Sequence, residues 1–285
     1  MKKILILGGT KYAGKAFIEE LRLNENYDFT VLSRQKVKSI NYVEGDRKNE
    51  ELLTSLLKVK YDIIIDFICH CLPDAEKLIS AISSNNSNPR IIFISTTYVY
   101  DQDANKSFYE ESDFDALEYQ ANHAEREKIS YQEGKRSAEA FFVQNYGSNN
   151  LSILRFPIIL GKNDYTLRSS FFIKYFENGG SFDQISFSGK SNFIFVSDVV
   201  NVLKKQVEDF RPGTFNIVRP EFLCQRGLAL MYSKAIKYST QFNRPDNLEK
   251  TPFFYRSDFK INGSKYHRLN LFEGPFLSQL KLILT

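Results

Sequence analysis

The sequence predicts an α/β protein, a doubly wound parallel sheet with a smaller C-terminal lobe, and three observations point there. Almost purely apolar runs recur: KILIL at 3–7, FTVLS at 29–33, DIIIDFI at 62–68, RIIFIS at 90–95 and LSILRF at 151–156. Strands buried on both faces read this way, whereas half-solvated strands alternate. Segments of helical periodicity separate them, the first with apolar residues at Phe17, Ile18 and Leu21. A glycine-rich turn, GGTKYAG at 8–14, joins the first strand to that helix.

In chain order, the spacing predicts a helix over Ala13–Leu23, a strand over Phe29–Ser33 and a short strand over Asn41–Val43. A helix over Glu50–Leu57, a strand over Asp62–Ile68 and a helix over Asp74–Ile82 follow. The Asn/Ser/Pro cluster Asn85–Pro89 marks a turn into a strand over Arg90–Ser95. Asp101–Ile129 is polar and long for a connection, read as a loop with part of a helix. A helix over Gln132–Gln144 and a strand over Leu151–Phe156 complete the alternation. From Pro157 onward the elements are short and irregular. The division is therefore a first domain over 1–160 and a smaller lobe over 161–285, with Asn192–Val207 returning to the sheet. No internal repeat or low-complexity tract stands out.

Composition bounds the function. With 42% hydrophobic and 25% charged residues the chain reads as soluble and globular. Its net charge of +4 is spread, Lys and Arg alternating with Asp and Glu, which argues against a nucleic-acid grip. No apolar run approaches the ~20 residues of a membrane helix. The run after Lys2-Lys3 stops at Gly8, short of the ~7 residues of a signal-peptide core. Three cysteines suit reduced thiols, so the expected location is the cytosol. The triplet Cys69-His70-Cys71 is tighter than the usual zinc spacings and no second cluster follows, so no metal is expected.

The glycine loop sits where a dinucleotide-binding loop belongs in a Rossmann-type fold. Gly8 permits the turn, Gly14 permits close helix packing, and the helix N-terminus offers N–H groups to a pyrophosphate. Lys11 occupies the middle of the Gly-x-x-Gly-x-x-Gly spacing and reads as a side chain leaning toward the cofactor phosphates. Alone, the loop reads equally as an ordinary glycine turn. At the end of the second strand stands Ser33-Arg34, with no carboxylate for a ribose hydroxyl pair. A guanidinium beside a hydroxyl suits a 2′-phosphate, hence NADP in preference to NAD, the competing reading being a surface arginine. Asp46 follows the third strand and suits the adenine amino group.

Tyr131 and Lys135 are four residues apart and share one helix face. A free tyrosine titrates near 10 and needs ~4 kcal/mol in favour of phenolate to act at neutral pH. An ammonium about 4 Å away supplies about that much at an effective dielectric of ~20. The pair also arises by chance in exposed helices. Its context tips the reading, because the hydroxyls of Ser95, Thr96 and Thr97 end the preceding strand at the carboxyl edge where open α/β sheets bind ligands.

Taken together, these residues resemble an extended short-chain dehydrogenase/reductase of the NAD-dependent epimerase/dehydratase superfamily, closely over Lys2 to Gly161 and loosely beyond. GGTKYAG is similar to that family's loop in the subgroup with a basic residue for the middle glycine. The resemblance implies cofactor contacts at Gly8, Thr10, Lys11, Tyr12, Ala13 and Gly14. GDR at 45–47 resembles the adenine-contacting motif, implying Asp46 and Arg47, and DIIIDFIC implies Phe67 and Ile68 against the cofactor. STTYVY resembles the Ser/Thr-rich motif, implying Thr96 as the active hydroxyl. YQEGK resembles the Tyr-x-x-x-Lys pair, and RFPIILG implies Pro157 and Ile158 near the nicotinamide. NFIFVSDVV resembles a later strand-to-helix motif, in which Asp198 reads as a helix cap. GTFNIV and NGSKYHRL fit the pattern of the substrate lobe. Two departures stand out: Asp66 replaces a common histidine, and the Thr96–Tyr131 connection is longer than in many sugar epimerases.

The function so implied is an NAD(P)-dependent oxidoreductase or epimerase acting on a hydroxyl or ketone of a small molecule, a sugar nucleotide by analogy. Tyr131, Lys135 and Thr96 would be its catalytic residues, and the helix carrying the pair would mediate a homodimer. The alternatives are a non-catalytic NAD(P)-sensing regulator and an RNA-binding relative of the same fold.

Overall fold

The computed structural model describes residues 1–35, 40–101, 106–178, 189–236, 257–267 and 272–284. The chain begins β1 (Lys2–Leu7), α1 (Tyr12–Leu21), β2 (Tyr27–Ser33), β3 (Tyr42–Glu44), α2 (Glu50–Leu56), β4 (Ile63–Asp66), α3 (Leu72–Ser84) and β5 (Arg90–Thr96). It continues β6 (Phe108–Tyr109), α4 (Tyr131–Asn145), β7 (Leu151–Phe156), β8 (Ile158–Leu160), α5 (Arg168–Glu177), β9 (Lys190–Ser191), β10 (Phe193–Phe195) and α6 (Val196–Glu208). It ends β11 (Gly213–Asn216), β12 (Leu223–Cys224), α7 (Gln225–Ala235), β13 (Lys260–Ile261), α8 (Ser264–His267) and α9 (Phe276–Leu284).

Seven of the strands form one parallel sheet in the order β3-β2-β1-β4-β5-β7-β11. The direction of winding reverses between β1 and β4, which opens a crevice at their carboxyl ends. Successive residues of β1 feed opposite layers. Ile4 and Ile6 pack with Phe17, Val199 and Val202, so α1 and α6 cover that face. Leu5 and Leu7 pack with Leu53, Leu78, Ala138 and Phe142, so α2, α3 and α4 cover the other. This is the Rossmann-type doubly wound sheet that the apolar runs predict. A third core, rich in phenylalanine, joins Phe172, Phe176, Phe193, Phe195, Tyr232 and Phe276 in the C-terminal part.

Three segments differ from the sequence reading. The fourth strand stops at Asp66, although Phe67 and Ile68 continue its apolar run, because Asp66 Oδ1 accepts the N–H groups of Ile68 at 3.0 Å and Cys69 at 2.9 Å. A side chain that captures its own following backbone turns the chain. Between 106 and 129 there are short 3₁₀ turns at Glu111–Asp113 and Arg126–Lys128, with no α-helix among the described residues. Here too local carboxylates compete with helix, as Asp115 Oδ1 accepts Leu117 N–H at 2.9 Å. Third, GTFNIV supplies β11, which pairs with β7 at the edge of the main sheet. Within Asn192–Val207, β10 pairs with β8 and α6 lies over the sheet beside α1. The last two residues of NGSKYHRL lie outside the described residues.

Candidate active site

The loop from Gly8 to Gly14 crosses the crevice at the end of β1. Gly8 and Gly9 hold φ of +78° and +71°, a region that residues with a Cβ rarely enter. A Cβ on Gly14 would lie 2.5 Å from Gly9 Cα, so α1 starts flush against the turn. The first-turn N–H groups of α1 have no intrahelical acceptor. No acidic residue stands in that turn, and Lys11, at the N-cap, provides no side-chain cap. An uncompensated helix N-terminus of this kind fits an anion. Thr10 is half-buried and Ala13 buried. Tyr12, at φ +49°, donates its phenol hydrogen to Ile159 O at 2.9 Å, tying the loop to β8. Lys11 Nζ lies 5.6 Å from the centre of the exposed Tyr165 ring.

Phe67 and Ile68 close the floor of this turn: a Cβ on Gly9 would meet Phe67 at 3.1 Å, and one on Gly8 would meet Ile68 at 2.4 Å. At the end of β2, Ser33 is buried and its Oγ accepts Gln35 N–H at 3.1 Å. Arg34 is 79% exposed and lies 3.8 Å from Asp46, so the two residues read from the sequence as contacts to the adenosine end are neighbours.

Arg47 goes elsewhere. It is 4% exposed; its Nη1 reaches both oxygens of Asp66 at 2.7 and 2.6 Å, and its Nη2 donates to Asp74 O at 2.5 Å. Burial opposes the guanidinium charge, but Asp66, Cys69 and Asp74 together hold its pKa above the ordinary value. The arginine of GDR thus pins the loop after β3 to β4 and α3 rather than facing the crevice. The same pair accounts for Asp66, the departure for which the sequence offered no reason.

Across the crevice, Thr96 ends β5, buried, its Oγ1 accepting Tyr98 N–H at 3.2 Å. Tyr131 opens α4 directly after Ser130, whose hydroxyl caps the helix through Glu133 N–H. Tyr131 is 54% exposed. One helical turn on, Lys135 is 2% exposed and donates to Cys69 O and Ile94 O, both at 2.7 Å. Its ammonium therefore bridges the carboxyl ends of β4 and β5, 4.6 Å from the centre of the Phe93 ring. Pro157 and Ile158 are buried, and Ile158 pairs with Phe193.

Several residues that the sequence reading passed over hold this edge in place. Glu139, fully buried on α4, accepts from Arg155 Nη2 at 2.7 Å and Nε at 3.0 Å, and from the Ser95 hydroxyl. Arg155 Nη1 donates to Tyr100 at 2.8 Å, and Tyr100 donates to Asn216 at 2.7 Å. Burial pushes the Tyr100 phenol up to about 12, against the opposing pull of Arg155. The signal was present: Glu139 follows Lys135 by four residues and shares its helix face. Asp198 has two roles. It lies inside the first turn of α6, which begins at Val196 and not at Val199 as the cap reading required, and accepts the N–H of the capping residue Phe195 at 2.9 Å; it also pairs with buried Arg219 at 2.7 and 2.9 Å. His70, which the sequence offers only as a metal ligand, is half-buried beside Tyr131; burial, with Lys135, Arg126 and Arg47 nearby, pushes its pKa down to about 3. Among the described residues, no three His, Cys, Asp or Glu side chains gather as a metal site, and no helix is long and apolar enough to cross a membrane.

The fold recurs in solved structures. The chain aligns with UDP-N-acetylglucosamine 4-epimerase from Bacillus cereus at 19% identity and a TM-score of 0.75, over 99% of this chain and 98% of that one. UDP-glucose 4-epimerase from Thermotoga maritima, solved with UDP-glucose, aligns at 16% identity and 0.74, over 99% and 97%. The WbmH enzyme of Bordetella bronchiseptica, solved with NAD+, aligns at 14% and 0.72, over 100% and 97%. No curated protein matches the sequence. The profile of the NAD dependent epimerase/dehydratase family matches residues 4–217, spanning the glycine loop, the Thr96 strand and the Tyr131–Lys135 helix. The chain belongs to the NAD dependent epimerase/dehydratase family.

Proposed function

We propose that this chain is an NAD(P)-dependent epimerase or oxidoreductase acting on a hydroxyl or ketone of a sugar nucleotide. What supports the reading is the bridge of Lys135 to the carbonyls of Cys69 and Ile94, with Thr96 ending β5, Tyr131 one turn before Lys135 on α4, and the glycine loop following β1 where the sheet reverses its winding. The open N-terminus of α1 and the close packing of Gly14 fit a dinucleotide pyrophosphate. When bound, a nicotinamide dinucleotide supplies the hydride acceptor or donor.

The chain's own residues do the rest. Tyr131, exposed at the helix start, takes a proton from a substrate hydroxyl or returns one to a ketone oxygen. Lys135 offers its ammonium to ribose hydroxyls in exchange for the carbonyls of Cys69 and Ile94. Thr96 donates a hydrogen bond to the reacting oxygen. Ser33 and Arg34 receive the adenosine end and, with no carboxylate at that position, favour the 2′-phosphate of NADP. The reading also takes the chain to be cytoplasmic and a homodimer, which sedimentation checks.

Replacing Tyr131 with Phe is the test. Turnover on a UDP-sugar is expected to fall at least ~100-fold with dinucleotide affinity retained. Unchanged turnover removes Tyr131 from the chemistry.

A further inference from the structure

We propose that the His70 imidazole is a hydroxyl-binding group of this site. Its Nδ1 takes a hydroxyl of a polyol seated against Tyr131, either the nicotinamide-side ribose or the pyranose of the sugar nucleotide. The inference rests on the dinucleotide reading and concerns a residue which that reading leaves without a task.

His70 stands just past the end of β4, and its backbone is clamped on both sides. Its N–H donates to Asp74 Oδ2 at 2.8 Å. Its carbonyl approaches α4 so closely that a Cβ on Gly134 would lie 2.3 Å away. The preceding residue, Cys69, gives its carbonyl to Lys135 at 2.7 Å. The backbone that carries the imidazole is thereby fixed relative to α4, and the ring centre lies 6.3 Å from that of Tyr131, tilted by 52°.

Although so placed, Nδ1 is shielded from solvent and has no hydrogen-bond partner among the described residues. Buried polar atoms are nearly always paired, so an orphan in the ring beside Tyr131 points to a missing partner. The chemistry of that partner follows from the ring. Burial and the surrounding cations keep it neutral, leaving one donor nitrogen and one acceptor nitrogen. A hydroxyl both donates and accepts, so it satisfies either tautomer, whereas a phosphate needs a donor and is served by Lys11 and the helix N-terminus. Metal ligation lacks companions, since no cluster of three ligating side chains forms among the described residues.

The test compares the parent chain, His70→Phe and His70→Asn, each first checked for parental circular dichroism and melting. Affinities for NADH, ADP-ribose, ADP and UDP-glucose are measured by calorimetric titration. His70→Phe is expected to lose roughly 5- to 10-fold toward the ligand carrying the hydroxyl, the effect of one hydrogen bond. His70→Asn, which keeps a polar atom near the position of Nδ1, is expected to recover most of it. Loss for NADH and ADP-ribose with ADP unchanged assigns the hydroxyl to the nicotinamide-side ribose. Loss for UDP-glucose alone assigns it to the pyranose. Unchanged affinity for all four ligands, or an equal loss that includes ADP and is not rescued by Asn, overturns the inference. If the parent binds and turns over normally, that failure concerns His70 only; a parent that binds neither NADH nor UDP-glucose overturns the proposed function with it.

Discussion

Beneath the carboxyl edge of the sheet, Glu139 and Arg155 are 0% and 1% exposed and bound to one another; above it, Tyr131 is 54% exposed and Arg34 79%. The buried side carries its charges in pairs, Arg155 with Glu139 and Arg47 with Asp66, and each guanidinium donates further to a backbone carbonyl. The open side carries the Tyr131 phenol and the Arg34 guanidinium, while Lys135 is buried and gives its ammonium to the carbonyls of Cys69 and Ile94. The difference separates the residues that hold the edge from those that would work at it. Removing a buried partner strands a charge in low dielectric, whereas removing an exposed group leaves only water to fill its place.

Breaking the buried side gives the largest effect. Glu139→Ala leaves Arg155 without its carboxylate and is expected to cost about 3–5 kcal/mol in chemical denaturation. A loss below ~1 kcal/mol would mean that the network is not holding the edge. The open side supplies the contrast: Tyr131→Phe, whose effect on turnover is given above, is expected to change stability by less than about 0.5 kcal/mol.

A smaller effect sharpens the boundary between the two sides, where His70 sits. Its pKa is about 3 in the folded chain against an ordinary 6.5. Between those values the unfolded chain binds a proton that the folded chain does not, so folded stability falls as pH drops from about 6.5 toward 3. Melting of His70→Asn between pH 7 and pH 4 should decline less steeply than that of the parent. Parallel curves would place the imidazole in solvent.

The sheet was legible because buried parallel strands leave a signature that needs no partner to be read: Ile4–Leu7, Ile63–Ile65 and Ile91–Phe93 are apolar at every position. The glycine loop and the Tyr131–Lys135 spacing were legible because they are local in sequence. What escaped was long-range polar pairing. Arg47 looks like any charged loop residue until Asp66 and Asp74 are seen around it, and Arg155 until Glu139, Tyr100 and the carbonyl of Glu111 converge on it. Apolar periodicity carries no information about which carboxylate meets which guanidinium. For the same reason the apolar run overshoots the end of β4 by two residues, since the N–H groups that Asp66 accepts from the next turn are invisible to a hydropathy pattern.

The central claim is that the crevice between β1 and β4 binds a nicotinamide dinucleotide. Calorimetric titration of the cofactor-stripped chain with NADPH and, separately, NADH tests it most directly. Saturable one-to-one binding is expected, tighter for NADPH because Ser33-Arg34 stands where a carboxylate would exclude the 2′-phosphate. Tighter binding of NADH would contradict that assignment while keeping the site, and binding of neither would contradict the claim itself.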